Sequence, residues 1–152
     1  MAAAEPLPAA APLCAHFVKY DVSQWPLVRV TAQPGVVPDD ATFTAHLACF
    51  EELLHRNKPF YILFDIRNGE SASISQLKRQ AEQMKELKPL ILRNLVCSAI
   101  AVDGILLKGL IDFVFAIRPP SKPNKRFAAP HDAEAWMKSM WDKAMPSKFF
   151  FE

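Results

Sequence analysis

Glycine is scarce, with 4 residues in 152, and the loop that follows the most apolar segment holds only Gly69. Backbone that cradles a phosphate needs several residues without a Cβ, so a glycine-rich nucleotide loop is not expected there. The 3 cysteines, Cys14, Cys49 and Cys97, form no C-x-x-C pair and stand far apart in apolar surroundings. That pattern argues against zinc or dithiol chemistry and for buried free thiols in a reducing compartment. The 4 histidines, His16, His46, His55 and His131, fall in different predicted elements without H-x-x-x-H or H-E-x-x-H spacing, and no metal site is expected. No G-x-S-x-G elbow is present, which removes the usual frame for an activated serine. The chain is expected to be non-enzymatic and to use no cofactor.

Charge of one sign is also missing. The chain carries 18 basic against 16 acidic residues, a formal net charge of +2, and such a balance supplies no field for a polyanion. Arg118, Lys122, Lys125 and Arg126 make a basic loop, but without interleaved aromatics it reads as solvated and not as a nucleic-acid site. The longest apolar segment, Gly104 to Ile117, is interrupted by Lys108 and Asp112 and falls short of the roughly 20 residues that cross a bilayer. The opening MAAAEPLPAAAPL lacks the basic start and continuous apolar core of a secretory signal, and a cytoplasmic protein is expected.

What remains is the make-up of one globular domain, 51% hydrophobic and 22% charged. We divide the chain into a flexible Ala/Pro-rich leader over 1–14, a domain over 15–145 and a tail over 146–152. HFVKYDV and PLVRVTA flank a short turn and predict an N-terminal β-hairpin. Asp39 or Asp40 can cap a helix whose Phe43, Leu47, Phe50 and Leu54 share one face. FYILFDI is a short, almost wholly apolar run, as expected for a strand covered on both faces. A second helix presents Ile74, Leu77, Ala81 and Met84 inward and is bent or interrupted by Pro89. LVCSAIAV is a second buried strand, Ile105 to Ile117 a third helix, KRFAAP a short last strand, and His131-Asp132 opens the last helix. The order β-β-α-β-α-β-α-β-α predicts an α/β fold: a mixed, mostly parallel sheet of four to five strands with about four helices.

That order and several of its segments resemble the STAS superfamily, and within it the SpoIIAA-like group (STAS/SEC14-like). The matching pieces are the apolar hairpin, NKPFYILFDIR before the second helix, LVCSAIAVDG, the proline-rich return IRPPSKPNKRF and the closing helix DAEAWMKSMW. They run in order from about Phe17 to Lys143. The resemblance implies a docking or sensing module without catalytic machinery. In its anti-sigma antagonists a serine at the start of the helix after the third strand is phosphorylated, which releases the partner. Laid on that pattern from Asp65, the chain places Ser75 at the phosphorylated position and Leu77 at the leucine of the D-S-S-G-L signature. Ser73, Ile74 and Gln76 stand where that signature has aspartate, serine and glycine. Some related proteins are thought to bind small apolar ligands.

Two candidate surfaces follow. At the first, Ser71, Ser73 and Ser75 with Asp65 and Leu77 form a phosphoswitch or docking site; the competing readings are that Ser73 or Ser75 caps the helix and that Asp65 orders the loop. At the second, Leu106, Leu110, Phe113, Val114 and Ile117 are expected to face the sheet, while Leu107, Ile111 and Phe115 form an additional apolar flank. A surface helix does not need so wide an apolar arc. The neighbouring helix, the leader, the FFF tail, another protein chain or an apolar small ligand could cover that flank. The expected function is protein–protein contact, as a regulatory module or accessory subunit, with a protein partner of unknown identity. Binding of a small molecule or lipid between sheet and third helix is the alternative.

Overall fold

A strand that is apolar on both sides has to be covered on both sides, and Phe60–Asp65 is such a strand. The computed structural model describes residues 17–145; the leader over 1–14 and the tail over 146–152 lie outside the described residues. Strands β1 (Val18–Gln24), β2 (Leu27–Ala32), β3 (Phe60–Asp65), β4 (Leu95–Ala101) and β5 (Asn124–Phe127) form one sheet in the order β1-β2-β3-β4-β5. The hairpin pair β1–β2 is antiparallel, and the pairs β2–β3, β3–β4 and β4–β5 are parallel. β3 is thus the central strand, as its composition predicts.

The helices are α1 (Asp40–His55), α2 (Ile74–Glu86), α3 (Lys88–Asn94), α4 (Ile105–Ile117) and α5 (Pro130–Ala144). Asp39 caps α1: its carboxylate accepts from the Thr42 N–H at 2.8 Å, and Thr42 Oγ1 accepts from the Asp39 N–H at 3.1 Å. Pro89 does interrupt the second predicted helix. α2 ends at Glu86, and Pro89 sits in the first turn of the separate α3, where a missing N–H costs nothing.

Alternation along β3 sends its side chains to two different layers. Phe60 and Ile62 join Val28, Val30, Cys49 and Leu53 in a core under α1 and α3. Tyr61 and Leu63 face the opposite way, where Cys97, Ala99 and Ala101 of β4 meet Ala133 and Met137 of α5. The small residues of β4 let α5 lie close to the sheet, and among the described residues α5 is the helix that covers this face. A bidentate ion pair, Arg29 to Glu134 with two bonds of 2.9 Å, ties β2 to the start of α5.

The other face is shared by α1, α2, α3 and α4, and α4 departs from its predicted orientation. It packs mainly against α2 and not against the strands. Leu106 and Ile117, expected to face the sheet, are 70% and 48% exposed, and Val114 is the helix's one buried residue. Ile74, the first residue of α2, is likewise turned outward, at 56% exposure. The cysteines also differ from expectation. Cys97 is a buried free thiol, whereas Cys49 is disulfide-bonded, which weakens the ground on which the sequence suggested a reducing compartment.

The layers differ in how much they contribute to stability. Leu63→Ala, which opens a void under α5, is expected to cost about 2–5 kcal/mol in urea unfolding. Leu106→Ser on the outside of α4 should stay within about 0.5 kcal/mol of the parent. A comparable loss from both would mean that α4 is seated on the sheet.

Candidate functional site

Because α4 leans on α2, its inner side chains and the strands enclose a space. The strands supply the floor through Val30, Ile62, Phe64 and Ile100, and α1 supplies Phe43, His46, Leu47 and Phe50. α2 contributes Leu77 and Met84, and α4 contributes Leu107, Leu110, Ile111, Val114 and Phe115. The cavity measures about 240 Å³. Protein interiors are close-packed, with few voids larger than a water molecule. The flank predicted from the sequence, Leu107, Ile111 and Phe115, therefore faces this cavity.

α4 is shallowly buried, and Asp112 and Phe115 tie it to Arg126 of β5. Gly104 occupies its N-cap with φ 85°, a left-handed conformation that suits glycine, and no side chain caps the first turn. Its first two residues, Ile105 and Leu106, are 91% and 70% exposed.

The serine loop at the end of β3 has a structural account. Ser73 is the N-cap of α2: its hydroxyl accepts from the Gln76 N–H at 3.0 Å, and Gln76 Oε1 accepts from the Ser73 N–H at 3.0 Å. The same Gln76 carboxamide donates to the Pro38 carbonyl at 3.1 Å and to Asp40 Oδ1 at 3.0 Å, so a buried glutamine locks the start of α2 to the start of α1. The S-x-x-Q spacing of a capping box is the sequence signal for this residue, which motif reasoning had matched only to a signature glycine. Ser75 lies exposed in the first turn of α2, Ser71 Oγ donates weakly to the Ala72 carbonyl at 3.4 Å, and Leu77 points into the cavity.

Asp65 orders the loop. It accepts from Arg67 Nε at 2.9 Å and from an Arg67 terminal nitrogen at 3.0 Å, with a longer bond of 3.3 Å from the Arg67 N–H. Gly69 is required by packing, since a Cβ there would lie 2.7 Å from the Ala32 Cβ. Asp65 and Ser73 thus order the loop and helix start that carry Gly69, Glu70, Ala72 and Leu77 to the cavity; Ser71 and Ser75 are not part of its lining.

His46 is the buried titratable group on the cavity wall. It is ringed by Phe17 and Phe43 at 5.5 Å between ring centroids, and its Nδ1 shares a 3.0 Å hydrogen bond with the Tyr20 hydroxyl. Burial lowers its pKa to about 4 and pushes the Tyr20 phenol well above its ordinary value. Burial also pushes the Cys97 thiol up to about 11, so it stays protonated and a poor nucleophile near neutral pH. Among the described residues no three His, Cys, Asp or Glu side chains gather in a way that could hold a metal ion. Nor, among them, is any helix long and apolar enough to cross a membrane.

With the sheet and cavity in view, the chain can be set beside known proteins. No family model matches it, and no curated protein matches it. A solved structure does: an uncharacterized protein from the DUF3478 family with a SpoIIAA-like fold, from Shewanella loihica PV-4. The match has a TM-score of 0.53 at 17% identity and covers 78% of this chain and 90% of that one. The chain has a SpoIIAA-like α/β fold, as the order of its segments implied.

Two outcomes test the frame. Gln76→Ala removes the bonds to Ser73, Pro38 and Asp40 together and is expected to lower unfolding free energy by roughly 1–3 kcal/mol; an unchanged urea midpoint would remove the lock. For His46 the folded protein binds its proton only near pH 4, whereas the unfolded chain binds it near the ordinary value of 6.5. Its full contribution is present above pH 6.5 and is lost as pH falls from there to 4, by up to roughly 3 kcal/mol. His46→Gln should flatten thermal stability over that window, and an unaltered pH profile would contradict its neutral burial.

Proposed function

We propose that this protein is a non-enzymatic binding module that takes a small apolar or amphipathic molecule into the cavity between its sheet and α4. The observation that carries this reading is an apolar space of about 240 Å³ beneath a helix with only one buried residue. Its lining is mostly apolar, so a guest seated there takes apolar side chains out of water. A concave, mostly apolar site with few polar groups is the usual form of a small-molecule site.

α4 also supplies a way in. Its weak cap and shallow burial put its opening among the cheap local fluctuations of the fold. A guest that touches Leu110, Ile111 and Val114 on one side and Ile62 and Ile100 on the other would draw α4 down. The module would then report its ligand as a change in the surface that α4 presents.

A protein partner, the first expectation from the sequence, is here the second reading, and a specific observation favours it. Val37, Ile74, Ile105 and Leu106 are 66%, 56%, 91% and 70% exposed. All four lie where the chain leaves the same end of the parallel strands β2, β3 and β4. Ser71 and Ser75 stand in the loop and first turn between β3 and α2, on that same rim. A regulatory or accessory role would use this rim, with the ligand acting through α4. The two readings separate experimentally. Ile111→Trp, which fills the cavity, is expected to abolish binding of a fluorescent apolar probe, and Ile105→Ser with Leu106→Ser to leave it within about twofold. Probe binding that survives Ile111→Trp and is lost in the Ile105/Leu106 double variant would move the site from the cavity to the rim.

Native-state hydrogen exchange gives an independent readout. Amides of α4 are expected to exchange at least about tenfold faster than those of β3 and β4 and to slow when the probe binds. Equal protection of α4 and the central strands would rule out α4 as the movable wall.

A further inference from the structure

The cavity is not apolar throughout. At the end opposite the serine rim its lining includes Ser98, Ser121, Lys122 and Asn124. Ser98 of β4 and Asn124 of β5 are register partners, and the Asn124 side-chain nitrogen donates to Ser98 Oγ at 2.7 Å. The Ser98 hydroxyl is buried at 8% residue exposure and acts there as acceptor, which leaves its own hydrogen to give. The Asn124 amide keeps a second N–H, and Lys122 uses one donor on the Leu92 carbonyl at 3.4 Å. Among the described residues no carboxylate pairs with Lys122.

The charge around these donors has one sign. The segment from Arg118 to Arg126 holds Arg118, Lys122, Lys125 and Arg126 and no acid; Asp112 answers Arg126 at 2.7 Å. Glu70, the acidic residue of the lining, stands at the far end beyond β3. Apolar walls therefore run from an acidic end to one whose lining holds Ser98, Asn124 and Lys122, each with a donor to spare.

We infer that Lys122, Asn124 and Ser98 receive the carboxylate head of a single-chain amphiphile whose tail fills the space under α4. This rests on the cavity being a binding site. In a space of about 240 Å³, where about 10–15 Å³ suffices for one water, a chain of about eight to ten non-hydrogen atoms has room. Two carboxylate oxygens can accept from the ammonium, the hydroxyl and the amide at once. The basic loop that the sequence left as merely solvated becomes the head-group end of the site.

The test compares octanoate with 1-octanol, which has the same chain without the charge, by calorimetric titration of the full chain at neutral pH. The parent is expected to bind octanoate about tenfold more tightly than octanol. Lys122→Met should remove that preference by weakening octanoate alone, Ser98→Ala should weaken octanoate by a smaller factor, and Lys122→Arg should restore most of the loss. All three variants are first matched to the parent by urea midpoint. Equal binding of the two probes to the parent, or an octanoate affinity untouched by Lys122→Met, would overturn the head-group inference and leave the apolar cavity standing. Binding of neither probe would overturn both.

Discussion

The structure depends on one constraint: Phe60–Asp65 is apolar on both faces and sits in the middle of the sheet, so two separate layers have to be recruited to cover it. One layer is α5, pressed onto Tyr61, Leu63 and the small residues of β4. The other has to be assembled from α1, α2, α3 and α4. The first solution is complete. The second closes tightly around β1, β2 and β3, where Val28, Phe60, Leu53 and Leu54 are fully buried, and leaves the part beneath α4 open.

That asymmetry links packing to function. On the tight side, capping boxes at Asp39 and Ser73 and the Gln76 carboxamide hold the starts of α1 and α2 together. On the loose side, α4 begins at an uncapped glycine and buries Val114. A fold with one rigid face and one adjustable wall is suited to taking up a guest without paying to unfold, since the ordering cost falls on a single helix. His46 sits at the junction, neutral because it is buried, on the wall that belongs to the rigid part.

Much of the fold was legible in the sequence because it is written in local periodicity. The run FYILFDI, the bounds of the helix from Ile105 to Ile117 and the interruption at Pro89 all follow from residue pattern and backbone chemistry. The direction in which α4 faces was not legible. Helical spacing shows how wide an apolar arc is, but an arc that reaches from Leu106 to Phe115 has no privileged centre, and its orientation is set by how far α2 holds α4 from the strands. The same limit hid Gln76, whose burial depends on Pro38 and Asp40 meeting it from the start of α1. At the site, Asp65 as an ordering group and Ser73 as a cap were readable from their positions after a strand and before a helix. The head-group residues Ser98 and Asn124 were not, because they become neighbours only through the β4–β5 register.

A fillable, mostly apolar space lies between the sheet and α4, on the face away from α5. Methyl NMR of the protein under xenon pressure tests it most directly, since xenon enters dry apolar cavities without needing a head group. Saturable shifts are predicted for methyls of Ile62, Ile100, Leu110 and Val114, with those of Leu27, Leu63 and Ala133 unmoved. Shifts spread evenly over both faces, or absent from both, would contradict it.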